Sequence, residues 1–181
     1  MLQIRVADPK DYVKVREFYY SLTDAMEHGE FKPGWKKDVY PSQDFLLTSI
    51  RCGELYIGEA DGGMAACMVV NHEYNDGYRQ VKWLTEAEDG ELLVIHALGV
   101  HPDVSGRGIA KKMVRHVMET ARKNNLKAIR LDVLEGNVPA EAAYISVGFQ
   151  YIDILLMFYE DTGWTRYKLF EYVLPYRGLQ P

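Results

Sequence analysis

No apolar run in this sequence is long enough to span a bilayer, so a membrane-embedded chain is not expected. Cysteine is scarce: Cys52 and Cys67 are the only two, with neither metal-ligand spacing nor a pairing pattern. They are expected to be buried thiols in a reducing cytoplasm, and no metal is expected. Positive charge is not in excess. The net charge of -5 argues against a generic nucleic-acid binder, which is usually basic. Repeats, low-complexity stretches and long linkers are lacking, and 181 residues suit one domain, expected over 1–181. The first residues, Met1 to Val6, alternate like a strand and lack a basic segment followed by an apolar core, so no signal peptide is expected.

What is present is a regular alternation of strand and helix patterns. Leu2, Ile4 and Val6 read as one face of a strand. Asp8 and Pro9 then open a helix expected to reach about Met26. His28 to Val39 reads as a loop, and Pro41 and Ser42 begin a short helix that ends near Gly53. Glu54 to Ala60 and Met64 to Asn71 flank Asp61-Gly62-Gly63, a strong hairpin turn. Glu73 to Gly90 is polar and carries no clear pattern. Leu92 to Val100 is nearly all apolar, as a strand covered on both faces would be. A helix with Ile109, Met113, Val117 and Ala121 as its apolar stripe runs to Asn124. Ile129, Leu131 and Val133 mark another strand, Pro139 to Ser146 a short helix, and Phe149 to Tyr159 and Arg166 to Leu174 two last strands. The order implies a mixed α/β sheet.

The chemically informative stretch is Val100-His-Pro-Asp-Val-Ser-Gly-Arg-Gly-Ile-Ala110. A buried strand enters a turn containing Gly106 and Gly108 and passes directly into a helix. Glycines let backbone approach a ligand, and a helix start offers unpaired N–H groups and partial positive charge. Arg107, Lys111 and Lys112 add charge nearby. A phosphorylated cofactor suits this turn; the alternative is a turn that merely packs a helix closely on a strand. Nucleotide fingerprints fail on spacing. A dinucleotide motif starting at Gly106 needs glycine at position 111, which is Lys111, and no segment has P-loop spacing.

Here the chain resembles the GNAT superfamily of acetyl-CoA-dependent N-acetyltransferases. The family's Gln/Arg-x-x-Gly-x-Gly/Ala signature falls on Ser105, Gly106, Arg107, Gly108, Ile109 and Ala110. Its Asn-x-x-Ala-x-x-x-Tyr-x-x-x-Gly-Phe element fits Asn137, Ala140, Tyr144, Gly148 and Phe149. The match spans Leu92 to about Tyr151, and Ser105 departs from the usual Gln or Arg. The resemblance implies a GNAT-like α/β fold: a mixed, mostly antiparallel sheet of about six to seven strands, flanked by about four helices. It also implies that the central strand splays from Arg130–Leu134 to admit coenzyme A. Pantetheine would pair with backbone at Leu98, Gly99 and Val100 and pass Asn137. The pyrophosphate would sit on Gly106 to Lys111, and Arg107 or Lys111 would replace the charge missing at Ser105.

The same resemblance casts Tyr144 as proton donor to the leaving thiolate, the alternative being a core tyrosine. A phenol with reference pKa of ~10 is protonated at neutral pH. His96, in a strand of apolar neighbours, is the candidate base, with Glu91 its rival; His96 could equally be a core histidine. An alkylammonium of pKa ~10.4 must lose a proton before it attacks. Trp35, Tyr40 and Tyr159 are the first candidates for the acceptor pocket, within an aromatic set that includes Tyr78, Trp83, Trp164 and Tyr167. The expected activity is acetyl transfer from acetyl-CoA to a primary amine, of a small molecule, in a ternary complex. The alternatives are a protein N-terminal or lysine acetyltransferase, which needs an open groove, and a non-catalytic acyl-CoA-binding regulatory module. A homodimer through Arg166 to Leu174 is a further expectation, the alternative being that this strand closes the sheet edge.

Overall fold

The computed structural model describes residues 2–29 and 34–175, so residues 30–33 of the expected loop lie outside it. Seven strands form one sheet: β1 (Gln3–Val6), β2 (Leu55–Ala60), β3 (Gly63–Asn71), β4 (Leu92–Val100), β5 (Ala128–Leu134), β6 (Gln150–Tyr159) and β7 (Gly163–Val173). Their spatial order is β1-β2-β3-β4-β5-β7-β6. Only β4 and β5 run parallel; every other pair is antiparallel. Among the described residues, four α-helices accompany the sheet: α1 (Tyr12–Glu27), α2 (Gln43–Arg51), α3 (Ile109–Lys123) and α4 (Val138–Ile145). This is the GNAT-like mixed α/β architecture expected from the motifs.

The helix starts follow local chemistry. The helix expected from Asp8 opens as a 3₁₀ turn, Pro9–Asp11, before α1: Asp8 accepts from the Lys10 amide at 3.0 Å, and the Asp11 carboxylate accepts from the Asp8 amide at 2.9 Å. Arg5, reaching across from β1, holds Asp11 at 2.6 Å and drives its carboxyl down to about 2. Ser42 caps α2 through the Phe45 amide at 3.1 Å. The α3 stripe packs as its spacing demands: Ile109, Met113, Val117 and Ala121 are buried together with Val114 and Met118.

The sheet is covered on both faces. α3 and α4 pack on one, over Met68, Ile95, Leu131 and Val133. On the other, α1 and α2 cover Ile57, Cys67, Val69 and Ala97. The chain between β3 and β4, which carries no clear sequence pattern, covers the remainder of that face. Its Tyr78 and Val81 pack over Leu92, Val94, Met157 and Leu169. A buried ion pair anchors this connection. Arg130 on β5 meets Glu171 on β7 at 2.9 Å, with Glu171 fully buried. Glu171 also accepts from the Leu84 amide at 2.7 Å, Arg130 donates to the Thr85 carbonyl at 2.8 Å, and the Trp83 ring lies 4.3 Å from the guanidinium.

Two expectations are corrected. Cys67 is buried, but Cys52 is exposed, because it falls just past the last turn of α2 where no element covers it. The C-terminal strand is neither a sheet edge nor free to pair across a dimer: β7 is inserted between β5 and β6, which occupy both its edges, and β6 takes the outer position.

Replacing Glu171 with Gln leaves the buried Arg130 charge without its counter-ion. The expected loss is about 3–5 kcal/mol, the range for breaking one partner of a buried pair, read by urea unfolding. The double replacement Arg130→Met, Glu171→Leu is expected to recover most of that loss.

Candidate active site

The site begins where β4 and β5 stop pairing. Their register runs only from Leu92↔Ala128 to Val94↔Arg130, and beyond Val94 the strands diverge. On its other side β4 stays paired with β3, but it carries an extra residue there: Val69 pairs with His96 and Cys67 with Gly99. Ala97 absorbs the bulge at φ +50°, a left-handed conformation costing an L-residue roughly 1–2 kcal/mol. The Tyr19 hydroxyl of α1 donates to the Ala97 carbonyl at 2.8 Å and holds it. At Gly99 the helix comes closer still, since an added Cβ would lie 2.3 Å from Leu22 Cδ2. The far half of β4 is thereby clamped to α1 and leaves its other edge towards the gap.

Past β4, Pro102–Val104 forms one 3₁₀ turn, and Gly106 and Gly108 follow at φ +76° and +69°. Gly108 is the N-cap of α3, with no side chain capping the amides behind it. Nothing lies within 4 Å of where a Cβ would stand at Gly106 or Gly108. A helix N-terminus faces open space here, which fits a pyrophosphate. Ser105 is exposed and Ile109 buried beneath the turn. Arg107 is engaged elsewhere, in an ion pair with Asp61 of the β2–β3 turn. Lys111, on the first turn of α3, is half-buried and makes no ion pair among the described residues.

A cleft of about 810 Å³, partly open to solvent, occupies the gap. Its walls come from both faces of the sheet. From the α4 side come Asn137, Ala140 and Tyr144; from β4 come Ile95, His96, Ala97 and Leu98. Asp132, Val133 and Leu134 of β5 form the facing wall. Trp35 and Tyr40, with Tyr159, Asp161 and Tyr167 of the β6–β7 hairpin, close the far end. Next to Trp35 and Asp161 in the chain, the two connections touch: a Cβ on Gly34 would lie 2.6 Å from Thr162 Cγ2. Asn137 keeps its side chain at home as the N-cap of α4, accepting from the Ala140 amide at 3.3 Å.

The sequence-selected candidates do not all converge. Tyr144, His96, Leu98, Asn137, Trp35, Tyr40 and Tyr159 line the cleft, and Gly99 and Val100 continue the β4 edge beside it. Glu91 does not: it sits in the 3₁₀ turn at the opposite end of β4, where Lys127 pairs with it at 2.7 Å and lowers its pKa. Of the other aromatics, Trp164 is 70% exposed on the outer hairpin and Trp83 lies under Arg130.

Asp132 is the group that sequence reasoning passed over. Its Oδ2 accepts hydrogen bonds from the Tyr78 and Tyr159 hydroxyls, both at 2.8 Å. Burial pushes its pKa up, only partly offset by those hydroxyls. One signal was available, an acid inside the apolar alternation of Ile129, Leu131 and Val133. Burial likewise raises the pKa of Tyr144, with the Asp132 charge adding to it. His96 is driven down to about 4 by desolvation. Its Nε2 lies 2.9 Å from Asn71 Oδ1 and 3.0 Å from the Glu73 carbonyl. Asn71 Oδ1 itself accepts from the Glu73 amide, so Nε2 carries the proton and Nδ1 the lone pair.

Comparison with known proteins agrees with this geometry. The sequence pattern of the Acetyltransferase (GNAT) family matches residues 17–149, and the chain belongs to that family of acyltransferase enzymes. It is 30% identical to the N-alpha-acetyltransferase RimI of Mycobacterium tuberculosis over 132 residues, 73% of this chain and 75% of that protein. Among solved structures, a GNAT-family acetyltransferase from Streptococcus agalactiae superposes with a TM-score of 0.78 at 21% identity, covering 95% of each chain. A Salmonella typhimurium protein solved with its cofactor acetyl-CoA superposes at TM-score 0.69 and 16% identity, covering 100% of this chain and 98% of that one. No described helix is long and apolar enough to cross a membrane.

Gly108→Val places a branched side chain in the open space before α3 and at a positive φ. Acetyl-CoA affinity is expected to fall at least about tenfold, ~1.4 kcal/mol, in calorimetric titration.

Proposed function

We propose that this chain transfers acetyl from acetyl-CoA directly to the primary amine of a small molecule. The observation carrying this reading is the aromatic cleft at the β4–β5 gap, partly open to solvent, with Asp132 and Tyr144 both on its walls. The pantetheine arm is assigned to the free edge of β4 at Leu98, Gly99 and Val100, and the pyrophosphate to Gly106 through Lys111. Because Arg107 is paired with Asp61, Lys111 is the better-placed cation for the role lost at Ser105.

An alkylammonium at pH 7 needs about 4–5 kcal/mol to become the free amine, at ~1.36 kcal/mol per pKa unit. Asp132 is assigned to receive that proton. Its Oδ2 is occupied by two tyrosine hydroxyls, which leaves Oδ1, and burial makes it a stronger base than an ordinary carboxylate. The amine nitrogen then attacks the thioester carbonyl carbon, a C–N bond forms and the C–S bond breaks. Of the two protons the ammonium sheds, one leaves through Asp132 to solvent and the other ends on the thiol. Tyr144, kept protonated by burial, donates a hydrogen bond to the departing sulfur. With a thiol reference pKa of ~8.5, full transfer from such a phenol is uphill, so its work is hydrogen bonding to developing charge. His96, neutral above about pH 4, serves as a polar wall whose Nδ1 can hold a water.

A second reading, acetylation of a protein N-terminus, is favoured by the 30% identity to RimI. Against it stands the far end of the cleft, walled by Trp35, Tyr40, Tyr159 and Tyr167, since a peptide needs an open groove. Thiol release over a panel of small amines, amino acids and peptides separates the two. Turnover confined to peptides overturns the small-molecule reading; tight acetyl-CoA binding without release on any acceptor overturns transfer altogether.

Asp132→Asn is expected to lower kcat by about 10²–10⁴, the usual span for a lost general base, with little change in acetyl-CoA affinity. Tyr144→Phe should lower kcat with an unchanged acetyl-CoA Kd. Activity requires ionised Asp132, so it is lost as pH falls through that raised pKa. His96→Gln should leave the acidic limb of the pH–rate profile in place, because His96 is already neutral there.

A further inference from the structure

The far end of the cleft holds a second carboxylate that the transfer reaction does not use. Asp161, in the turn between β6 and β7, is only 6% exposed and lines the cleft with Asp132. Among the described residues, no side chain donates a hydrogen bond to it and no cation lies in ion-pair contact with it; the turn amides of its own residue and Thr162 act as donors. Lys36 acts on it from a distance. Neither lysine nor arginine appears among the described residues lining the cleft, and its one histidine is neutral. The rings of Trp35, Tyr40, Tyr159 and Tyr167 line the same cleft, the surfaces over which a cation is favoured. A carboxylate withdrawn from water without an ion-pair partner is costly, so two of them in a cleft whose described lining holds no lysine or arginine is an arrangement completed by positive charge from the ligand. One ammonium would satisfy only one of them, and that one must be given up when the attacking nitrogen is deprotonated.

We infer that the acceptor carries two basic nitrogens: a primary amine that reacts beside Asp132, and a second, still protonated nitrogen held by Asp161 within the aromatic end of the cleft. A short aliphatic diamine or a longer polyamine has this chemistry. The inference rests on the acetyl-transfer reading of the same cleft and deepens it. The reacting amine is consumed as its amide, while the second nitrogen keeps its charge and its counter-ion through the reaction. Asp161 is therefore a specificity residue, acting on which amine is bound and in which orientation.

The test is thiol release from acetyl-CoA with three length-matched series: alkyl monoamines, amino alcohols and α,ω-diamines. The expected result is a kcat/KM at least about tenfold higher for the best diamine than for its matched monoamine and amino alcohol. In Asp161→Asn that ratio should collapse towards one, mainly through KM for the diamine. Asp161→Glu keeps the charge and should retain the preference, with the optimum moved to a different chain length. Calorimetric binding of the best diamine to the enzyme with coenzyme A gives a readout independent of turnover, and should weaken in Asp161→Asn. Equal use of diamines and monoamines by the unaltered enzyme overturns this inference and leaves acetyl transfer standing, as does an Asp161→Asn variant that loses both in the same proportion. Absence of release from every amine overturns both.

Discussion

Everything in this molecule that bears on chemistry follows from a short parallel pairing. β4 and β5 share only the register from Leu92 to Val94, and the next residues part. Parting exposes backbone groups that a continuous sheet would satisfy, and such groups seek a partner. The fold keeps the two strands from closing again. Tyr19 and Leu22 of α1 hold the bulged half of β4, while β7 pairs with β5 along its whole length and fixes it on the other side. The gap is thus a permanent feature of the sheet, and an extended pantetheine arm is the kind of guest that can pair along it.

A polar framework stands behind the gap. Glu171 and Arg130 gather Trp83, Leu84 and Thr85 against β5 and β7. That anchoring brings Tyr78, a few residues earlier, over Asp132. From the hairpin, Tyr159 meets the same oxygen. The carboxylate is therefore oriented by two hydroxyls from two different parts of the chain, each positioned by packing that has nothing to do with the reaction.

The elements legible in the sequence were those whose signals are local. Alternation at Ile129, Leu131 and Val133, the stripe of α3, the Asp8 and Ser42 caps and the glycines of the α3 turn all translate directly into observed structure. The connection from residue 72 to 91 was not legible, because it is ordered by a buried ion pair contributed from β5 and β7 rather than by its own periodicity. Asp132 was missed for a related reason: its importance lies in Tyr78 and Tyr159, far apart in sequence, converging on it. Asp161 looks like any turn aspartate until the hairpin is folded over the cleft. Glu91 is the reverse case, a sequence candidate that the structure places away from the cleft. A position at the start of the central strand suggested a base, yet β4 is long enough to carry that end away from the gap, where Lys127 claims it.

The contact at Gly99 has a consequence for how such an enzyme can diversify. With Leu22 filling the space where any side chain at Gly99 would stand, α1 and β4 form one packed block, and the proposed pantetheine path runs along its edge. The proposed acceptor end is made instead from two connections, the one carrying Trp35 and Tyr40 and the one carrying Asp161. Those connections tolerate substitution and changes of length far better than a packed helix does. A lineage built on this block can exchange one acceptor for another by redrawing two loops, without reopening the question of how coenzyme A is held.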